Sequence, residues 1–263
     1  RILEETSRTF YVPVMRLPDG LRDAVGAAYL CMRGIDEIED HPDLPPEEKV
    51  RLLGLVSLVF QAAAAGQDLD VLQGMLKQSS CELPEVTLLL GEHACMAPAV
   101  VAPRVWDATS AMAERMAHWA RVNWEIRSEE DLNAYTYGVA GAIGVLLCDL
   151  WAWFDGTPSD RGQAIGFGRG LQAVNILRNR DEDLERGVDY YPTAWDEQDM
   201  EQYVRRNLAL GDAYIQGLPA GPAREFCRIP LALAYGTVEA MARGEEKLDR
   251  QAVVELIAQV TGS

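Results

Sequence analysis

The amino-acid sequence predicts an all-α protein that forms one domain over residues 1–263. Apolar residues recur at the three- and four-residue spacing of helices, whereas the strict alternation typical of half-buried strands is scarce. Proline, glycine and aspartate separate the helical segments, and no linker or repeat of fixed period divides the chain. Apolar residues make up 48% of the chain, which indicates a globular protein with a sizeable core.

Each predicted helix follows a residue pattern that favours a helix start or stop. The first opens at a Pro-Asp-Gly turn and keeps apolar residues at helical spacing. The second starts at Pro46, which two glutamates follow, as is typical of helix N-termini. Later boundaries fall at single prolines, at GTPSD in residues 156–160 and at GLPAGP in residues 217–222. The predicted helices are 18–40, 46–66, 68–79, 84–96, 103–124, 129–154, 159–186, 196–217, 221–243 and 249–261.

Composition argues against several classes of protein. Acidic residues outnumber Lys and Arg by 41 to 24, whereas nucleic-acid binding needs a basic surface. Five widely spaced cysteines without a CxxC pair indicate a reducing cytosol rather than a disulfide framework or a zinc site. The N-terminus lacks the hydrophobic core of a signal peptide, and no apolar run approaches the about 20 residues that span a bilayer. We therefore expect a cytoplasmic protein without a transmembrane segment or a nucleic-acid partner.

A cluster of acids ends the first predicted helix, in the stretch DEIED at residues 36–40. On a helix, Asp36, Glu39 and Asp40 share one face, and we call them the acidic stripe. Like charges at this spacing repel each other, and a divalent cation removes that cost. Mg²⁺ fits because it binds one or two carboxylates together with waters and substrate phosphate oxygens. The alternative is a solvated acidic face near a helix end.

A second polar stripe lies in NILRNRDEDLERG at residues 175–187. Asn175, Asn179 and Asp183 follow each other at i, i+4 and i+8, and we call them the amide stripe. Gln172 lies one turn earlier and Arg178 lies beside the stripe. The preceding GFGRGLQAV is largely apolar, so the helix is expected to be buried and its polar groups to need partners. The alternative is an exposed, charged helix end.

Together the two stripes are typical of a diphosphate site in a helical bundle. If they face each other across a gap, Mg²⁺ ions between them would hold a diphosphate and neutralise the charge that develops as it leaves. Guanidinium groups offer forked donors to phosphate oxygens, and Arg8, Arg33 and Arg178 stand close to the stripes in sequence.

Three stretches of the chain resemble the squalene/phytoene synthase family. They are SRTFYVPVMRLPDGLRDAVGAAYLCMRGIDEIED at residues 7–40, AYTYGVAGAIG at 134–144 and LQAVNILRNRDEDLERGVDYYP at 171–192. FCRIP at 226–230 and LDRQAV at 248–253 are weaker similarities. The resemblance implies the isoprenoid synthase fold, a helical bundle with a central cavity. It also implies a Mg²⁺-dependent prenyltransferase that ionises an allylic donor, namely geranyl, farnesyl or geranylgeranyl diphosphate.

The resemblance further implies roles for individual residues. The metal ligands would be Asp36, Glu39, Asp40, Asn175, Asn179 and Asp183. The catalytic residues would be Tyr29, Arg33, Tyr135 and Arg178, in contact with the diphosphate or the cavity. The substrate-binding residues would be Ser7, Arg8 and Phe10 in a flap, with Gln172, Tyr235 and Arg250 elsewhere in the chain.

Asn179 departs from the pattern N-x3-D-x3-D that squalene and phytoene synthases normally carry. An amide oxygen still ligates Mg²⁺, but the site has one negative charge fewer. On this ground we predict a small-molecule acceptor, with a slight preference for an electron-rich aromatic of the carbazole type. The alternative is head-to-head condensation of two prenyl diphosphates to a squalene-, dehydrosqualene- or phytoene-type product. A binding protein that holds a prenyl diphosphate without ionising it is a further alternative.

Two features outside the stripes have open interpretations. Asp149 lies in the apolar stretch LLCDLW. It is interpreted either as a buried hydrogen-bonded residue or as a base near the acceptor. The small residues of GVAGAIG indicate either close helix packing or a kink that widens the cavity.

Overall fold

The computed structural model describes residues 1–7, 9–245 and 248–262. Within these ranges the regular structure is helical and no strand occurs, which confirms the all-α prediction. The chain divides into two compact units. Unit 1 comprises Arg1–Arg8 and Pro18–Glu125, and unit 2 comprises Thr9–Leu17 and Ile126–Ser263. The single domain of the sequence analysis stays a prediction.

Unit 1 is built around three long helices. Its helices are α1 (Ile2–Thr6), α3 (Leu21–Glu39), α4 (Pro46–Ala64), α5 (Val71–Leu76), α6 (Glu85–Leu88), α7 (Leu90–Cys95) and α8 (Ala102–Arg121). Helices α4 and α8 pack along each other, and the buried hydroxyls of Ser57 and Ser110 lie 2.9 Å apart between them. Helix α3 packs against α6, α7 and α8 and buries most of its apolar residues.

Gly34 allows α3 to approach its neighbours closely. A Cβ atom at this position would lie 2.7 Å from the Leu90 side chain and 3.0 Å from the Val86 carbonyl oxygen. At the same place the Thr87 hydroxyl donates to the Gly34 carbonyl over 2.8 Å. The turn of α3 that precedes the acidic stripe is therefore fixed by close packing.

Unit 2 is organised around α11, its longest uninterrupted α-helix. Its helices are α2 (Tyr11–Met15), α9 (Glu129–Thr136), α10 (Ala142–Asp155), α11 (Arg161–Glu185), α12 (Glu197–Gly217), α13 (Pro222–Ala242) and α14 (Arg250–Thr261). A π-helical turn, Tyr137–Gly141, joins α9 to α10. Helix α11 packs against α12, α13, α10 and this π turn.

Small residues allow α11 to approach α10 and the π turn. A Cβ atom on Gly168 would lie 2.4 Å from the Ala140 carbonyl oxygen, and one on Gly144 would lie 2.1 Å from the Ala164 carbonyl oxygen. The GVAGAIG stretch thus serves close packing. Its first four residues belong to the π turn, which begins at Tyr137 and interrupts the α-helical hydrogen bonding.

Segment Glu129–Asp155 forms one continuous helix of 27 residues that is long and apolar enough, by length and composition, to cross a membrane. The expectation that no stretch approaches this length is therefore wrong. Half of its apolar window is buried inside the protein, and the core helix of a protein that never enters a membrane passes the same test.

Other differences from the predicted helices concern short elements. The predicted helix 84–96 is divided at Leu89 into α6 and α7, and the predicted helix 68–79 shortens to α5. Helices α1 and α2 were not predicted. Five residues span too few turns for apolar periodicity to show.

Candidate functional site

Four of the predicted site residues follow one face of α3. Tyr29, Arg33, Asp36 and Asp40 are spaced at i, i+4, i+7 and i+11, which aligns them along the helix. Arg33 is half-buried and its two terminal nitrogens donate to the carboxylates of Asp36 and Glu37. Its third nitrogen, Nε, is buried without a hydrogen-bond partner among the described residues. The Nε–H of this guanidinium is therefore a buried donor without an acceptor among the described residues.

Asp36 and Asp40 are neighbouring carboxylates at the C-terminal end of α3. Burial raises the pKa of Asp36 and the charge of Asp40 raises it further, while Arg33 opposes both effects. A third of the Asp36 side chain remains exposed to water, and Asp40 is exposed at the end of the helix. Two oxygen donors one turn apart and open to solvent fit a hard divalent cation that keeps several waters.

Glu39 points away from this pair into the interior of unit 1. Glu39 is 4% exposed, and its carboxylate oxygen Oε1 accepts a hydrogen bond of 2.7 Å from Trp124 Nε1. The buried Lys49 ammonium donates to the main-chain oxygen of the same residue. Burial raises the pKa of Glu39 to about 8, and the hydrogen bond from Trp124 opposes this shift.

No group of three His, Cys, Asp or Glu side chains that could hold a metal occurs within residues 1–7, 9–245 and 248–262. The acidic stripe therefore presents two outward carboxylates rather than three. This arrangement agrees with the needs of Mg²⁺, which takes one or two carboxylates and completes its shell with water and phosphate oxygens.

The predicted flap residues divide between the two units. In unit 1, the buried Ser7 lies beside Tyr29, whose hydroxyl donates to the Thr6 carbonyl over 3.0 Å. Burial raises the pKa of Tyr29, and the hydrogen bond with Ser7 opposes that shift. In unit 2, Phe10 stacks on Phe226 with 6.3 Å between ring centroids. Arg8 lies outside the described residues.

The amide stripe lies on α11 as predicted, but its first turns are more open than expected. Asn175 and Arg178 are exposed and Asn179 is half-buried. Arg178 donates from Nε to the Asn179 side-chain oxygen over 2.9 Å and from Nη2 to the Asn175 side-chain oxygen over 3.3 Å. One arginine thus holds two candidate ligand oxygens in a single orientation. The expected burial applies to Asp183, which is 5% exposed and paired with Arg186.

The loop after α11 contains residues that the sequence analysis missed. Tyr190 stacks on the buried Tyr135 with ring centroids 4.7 Å apart. Arg180 covers the ring of Tyr191 at 3.7 Å and pairs with Asp189 over 3.1 Å. In the sequence, the feature that could have indicated these residues is the pair of tyrosines in GVDYYP, directly after the amide stripe. These contacts fix the loop against α11, directly after the amide stripe in the chain.

The remaining predicted residues lie elsewhere in unit 2. Gln172 is half-buried on α11, one turn before Asn175. The hydroxyl of Tyr235 donates to Asp212, and burial raises the pKa of Tyr235 to about 12. The side chain of Arg250 lies outside the described part of the chain. Asp149 pairs with Arg161, which favours a structural role for this carboxylate over that of a base.

Comparison with known proteins was made at the level of family, sequence and fold. The family model for squalene/phytoene synthase matches residues 3–203. The squalene synthase of Schizosaccharomyces pombe is 26% identical over 277 residues, a match that covers 94% of this chain and 59% of that protein. The chain thus spans about six tenths of the length of this relative.

Two solved structures share the fold of this chain. The complex of TcSQS with the ligand E5700 superimposes with a TM-score of 0.74 at 21% identity, covering 99% of this chain and 84% of the other. A dehydrosqualene synthase in complex with a ligand gives a TM-score of 0.67 at 18% identity, covering 99% of this chain and 93% of the other. The isoprenoid synthase fold that the sequence implied is thereby confirmed.

Proposed function

This chain belongs to the squalene/phytoene synthase family, and we propose that it condenses two prenyl diphosphates head to head. The observation that carries this proposal is the family match over residues 3–203, which includes both stripes. The preference for an aromatic acceptor depended on Asn179 alone. Neither the relative nor the structural neighbours support it, since these are squalene and dehydrosqualene synthases. The second prenyl diphosphate is therefore the better supported acceptor.

In unit 1, we propose that the exposed face of α3 receives the diphosphate group. Asp36 and Asp40 would hold Mg²⁺, which when bound neutralises the negative charge of the leaving diphosphate. Arg33 would donate to a phosphate oxygen, because its Nε–H has no partner among the described residues and a guanidinium suits phosphate geometry. Tyr29 and Ser7, which lie together at the start of this face, would contact the substrate.

In unit 2, we propose that the amide stripe supplies further oxygen ligands. Asn175 and Asn179 offer neutral amide oxygens and Asp183 offers a carboxylate. Arg178 keeps the two amide oxygens in place, and it would donate to the diphosphate from the same exposed face. Tyr135, Phe10, Gln172, Tyr235 and Arg250 remain proposed substrate contacts, as does Arg8 in unit 1. The cytoplasmic location also remains a proposal.

The test of this function is a reaction with a single kind of substrate. Purified protein is incubated with Mg²⁺ and either farnesyl or geranylgeranyl diphosphate, with and without a nicotinamide reductant. We expect a hydrocarbon, or its cyclopropyl precursor, of twice the donor length, with one diphosphate released for each donor ionised. Mass spectrometry identifies the product and a phosphate assay follows the diphosphate. Release that requires an added aromatic compound, with no dimeric product, would contradict the head-to-head proposal.

A further inference from the structure

We propose that Glu39 is a positioning residue held by Trp124, rather than a third metal ligand beside Asp36 and Asp40. The inference rests on the proposed function, since it concerns how the diphosphate-binding face of α3 is kept in shape. Sequence spacing places all three acids on one helix face, but the structure separates Glu39 from the other two.

The first argument is the environment of the Glu39 carboxylate. The residue is 4% exposed, whereas Asp40 is exposed and Asp36 is half-buried. Its oxygen already accepts a hydrogen bond of 2.7 Å from the indole of Trp124. A ligand to a hydrated metal would need to leave this bond and reach solvent, which would leave the buried indole N–H without a partner.

The second argument is the backbone that delivers Trp124. Asn123 and Trp124 directly follow the end of α8 and have φ angles of 51° and 49°. Positive φ is uncommon for residues other than glycine, and for a bulky residue such as Trp it is strained. Such a conformation persists where the surrounding contacts require it. Here it places the indole N–H on Glu39.

The third argument is that Lys49 of α4 contacts the C-terminal end of α3. Lys49 donates from its ammonium group to the main-chain oxygen of Glu39 and lies 5.2 Å from the centre of the Trp124 ring. A cation that binds a carbonyl in the last turn of a helix satisfies an acceptor that the helix leaves open. The last turn of α3 is thus fixed through the side chain and the main chain of one residue.

These contacts explain what Glu39 contributes. Asp36 lies one turn before it and Asp40 follows it directly, so the two outward carboxylates sit on either side of a fixed point. Partners that orient metal ligands typically change metal affinity about 10–100-fold when removed. The spacing D-x-x-E-D therefore combines two ligands with the residue that orients them.

The experiment measures Mn²⁺ binding, by electron paramagnetic resonance, in the presence of inorganic pyrophosphate. E39Q keeps an oxygen that accepts from Trp124, and we expect it to bind Mn²⁺ as the wild type does. W124F removes the indole N–H, and Trp124 is not itself a metal ligand. We expect W124F to bind Mn²⁺ roughly tenfold more weakly than the wild type does. The double variant should bind no more weakly than W124F alone.

W106F is the matched control, because Trp106 Nε1 donates over 3.2 Å to the Ala94 carbonyl of α7 in the same unit rather than to a residue of α3. It should leave Mn²⁺ affinity unchanged. If E39Q weakens binding as strongly as D40N does, Glu39 is a ligand and the inference is wrong. An equal loss in W106F and W124F would also overturn it. If W124F does not fold, Mn²⁺ binding by E39Q and by D40N is compared, and this comparison decides whether Glu39 is a ligand.

The two proposals fail in different ways. If D40N binds Mn²⁺ and pyrophosphate as the wild type does, the proposed metal site on α3 is wrong, whatever Glu39 does. If D40N loses binding while W124F keeps it, the proposed function survives and the positioning role falls.

Discussion

At the scale of single residues, Asn179 departs from the pattern N-x3-D-x3-D with which the sequence was compared. Its side-chain oxygen accepts from Arg178 and supplies a neutral donor where a carboxylate is usual. N179D would add a negative charge between Asn175 and Asp183. Because charged ligands raise the affinity of carboxylate sites for divalent cations, we expect half-saturation at a roughly tenfold lower Mg²⁺ concentration, equivalent to about 1.4 kcal/mol. Calorimetry with pyrophosphate present measures this shift.

The control for that substitution is Q202E, which adds the same charge at an exposed position of α12 outside the stripe. It should leave the Mg²⁺ dependence unchanged. If N179D and Q202E behave alike, position 179 does not face the metal.

A second prediction at this scale concerns His93, whose Nε2 is buried without a hydrogen-bond partner among the described residues. Burial lowers its pKa, although Glu92 and Glu85 oppose the shift. A histidine with a lowered pKa in the folded state stabilises the fold above its unfolded pKa of about 6.5, and that contribution is lost as pH falls. We expect the free energy of unfolding to fall on acidification below this pH, and to fall less in H93L. Urea titrations across that range compare the two, and parallel pH curves would contradict the prediction.

At the scale of helices, the approach of α11 to the π turn depends on Gly168. In G168A the new methyl group would meet the Ala140 carbonyl oxygen at 2.4 Å, and a backbone atom cannot rotate away as a side chain does. Overpacking of this kind typically costs about 1–3 kcal/mol. We expect G168A to lower the free energy of unfolding by that amount, as measured by chemical denaturation.

The matched control is G54A in α4, where a Cβ atom meets nothing within 4 Å. Alanine is favoured over glycine inside a helix by up to about 1 kcal/mol, so this variant should be more stable than the wild type. A loss of stability in both variants would show that the close contact is not the cause.

The helices also show what a sequence can and cannot predict. Long helices such as α4, α8 and α12 were predicted within a few residues, because apolar periodicity and terminal prolines or acids are local signals. The positions of both stripes were predicted for the same reason. The direction of Glu39 was not, since its partner Trp124 lies 85 residues away and no local pattern records that contact. The π turn was foreseen only as one alternative, a kink in GVAGAIG, because the helical pattern of side chains continues on either side of it.

At the scale of the whole molecule, the proposed function requires two stripes, one in each compact unit, to serve the same reaction. Asp36 belongs to unit 1 and Asp183 to unit 2. D36N and D183N each remove one carboxylate that we propose as a Mg²⁺ ligand, so each should lower the rate of diphosphate release strongly. Residues that act as one unit in catalysis show large departures from additivity. The double variant should therefore be only slightly less active than the less active of the two single variants.

D149N is the control that distinguishes this effect from the loss of any carboxylate in unit 2. Asp149 pairs with Arg161 and stands outside both stripes, so its replacement should reduce stability slightly and leave the turnover of folded enzyme close to that of the wild type. If the losses in D36N and D183N multiply in the double variant, the two stripes act independently. That result would contradict the proposal that both stripes serve the same reaction.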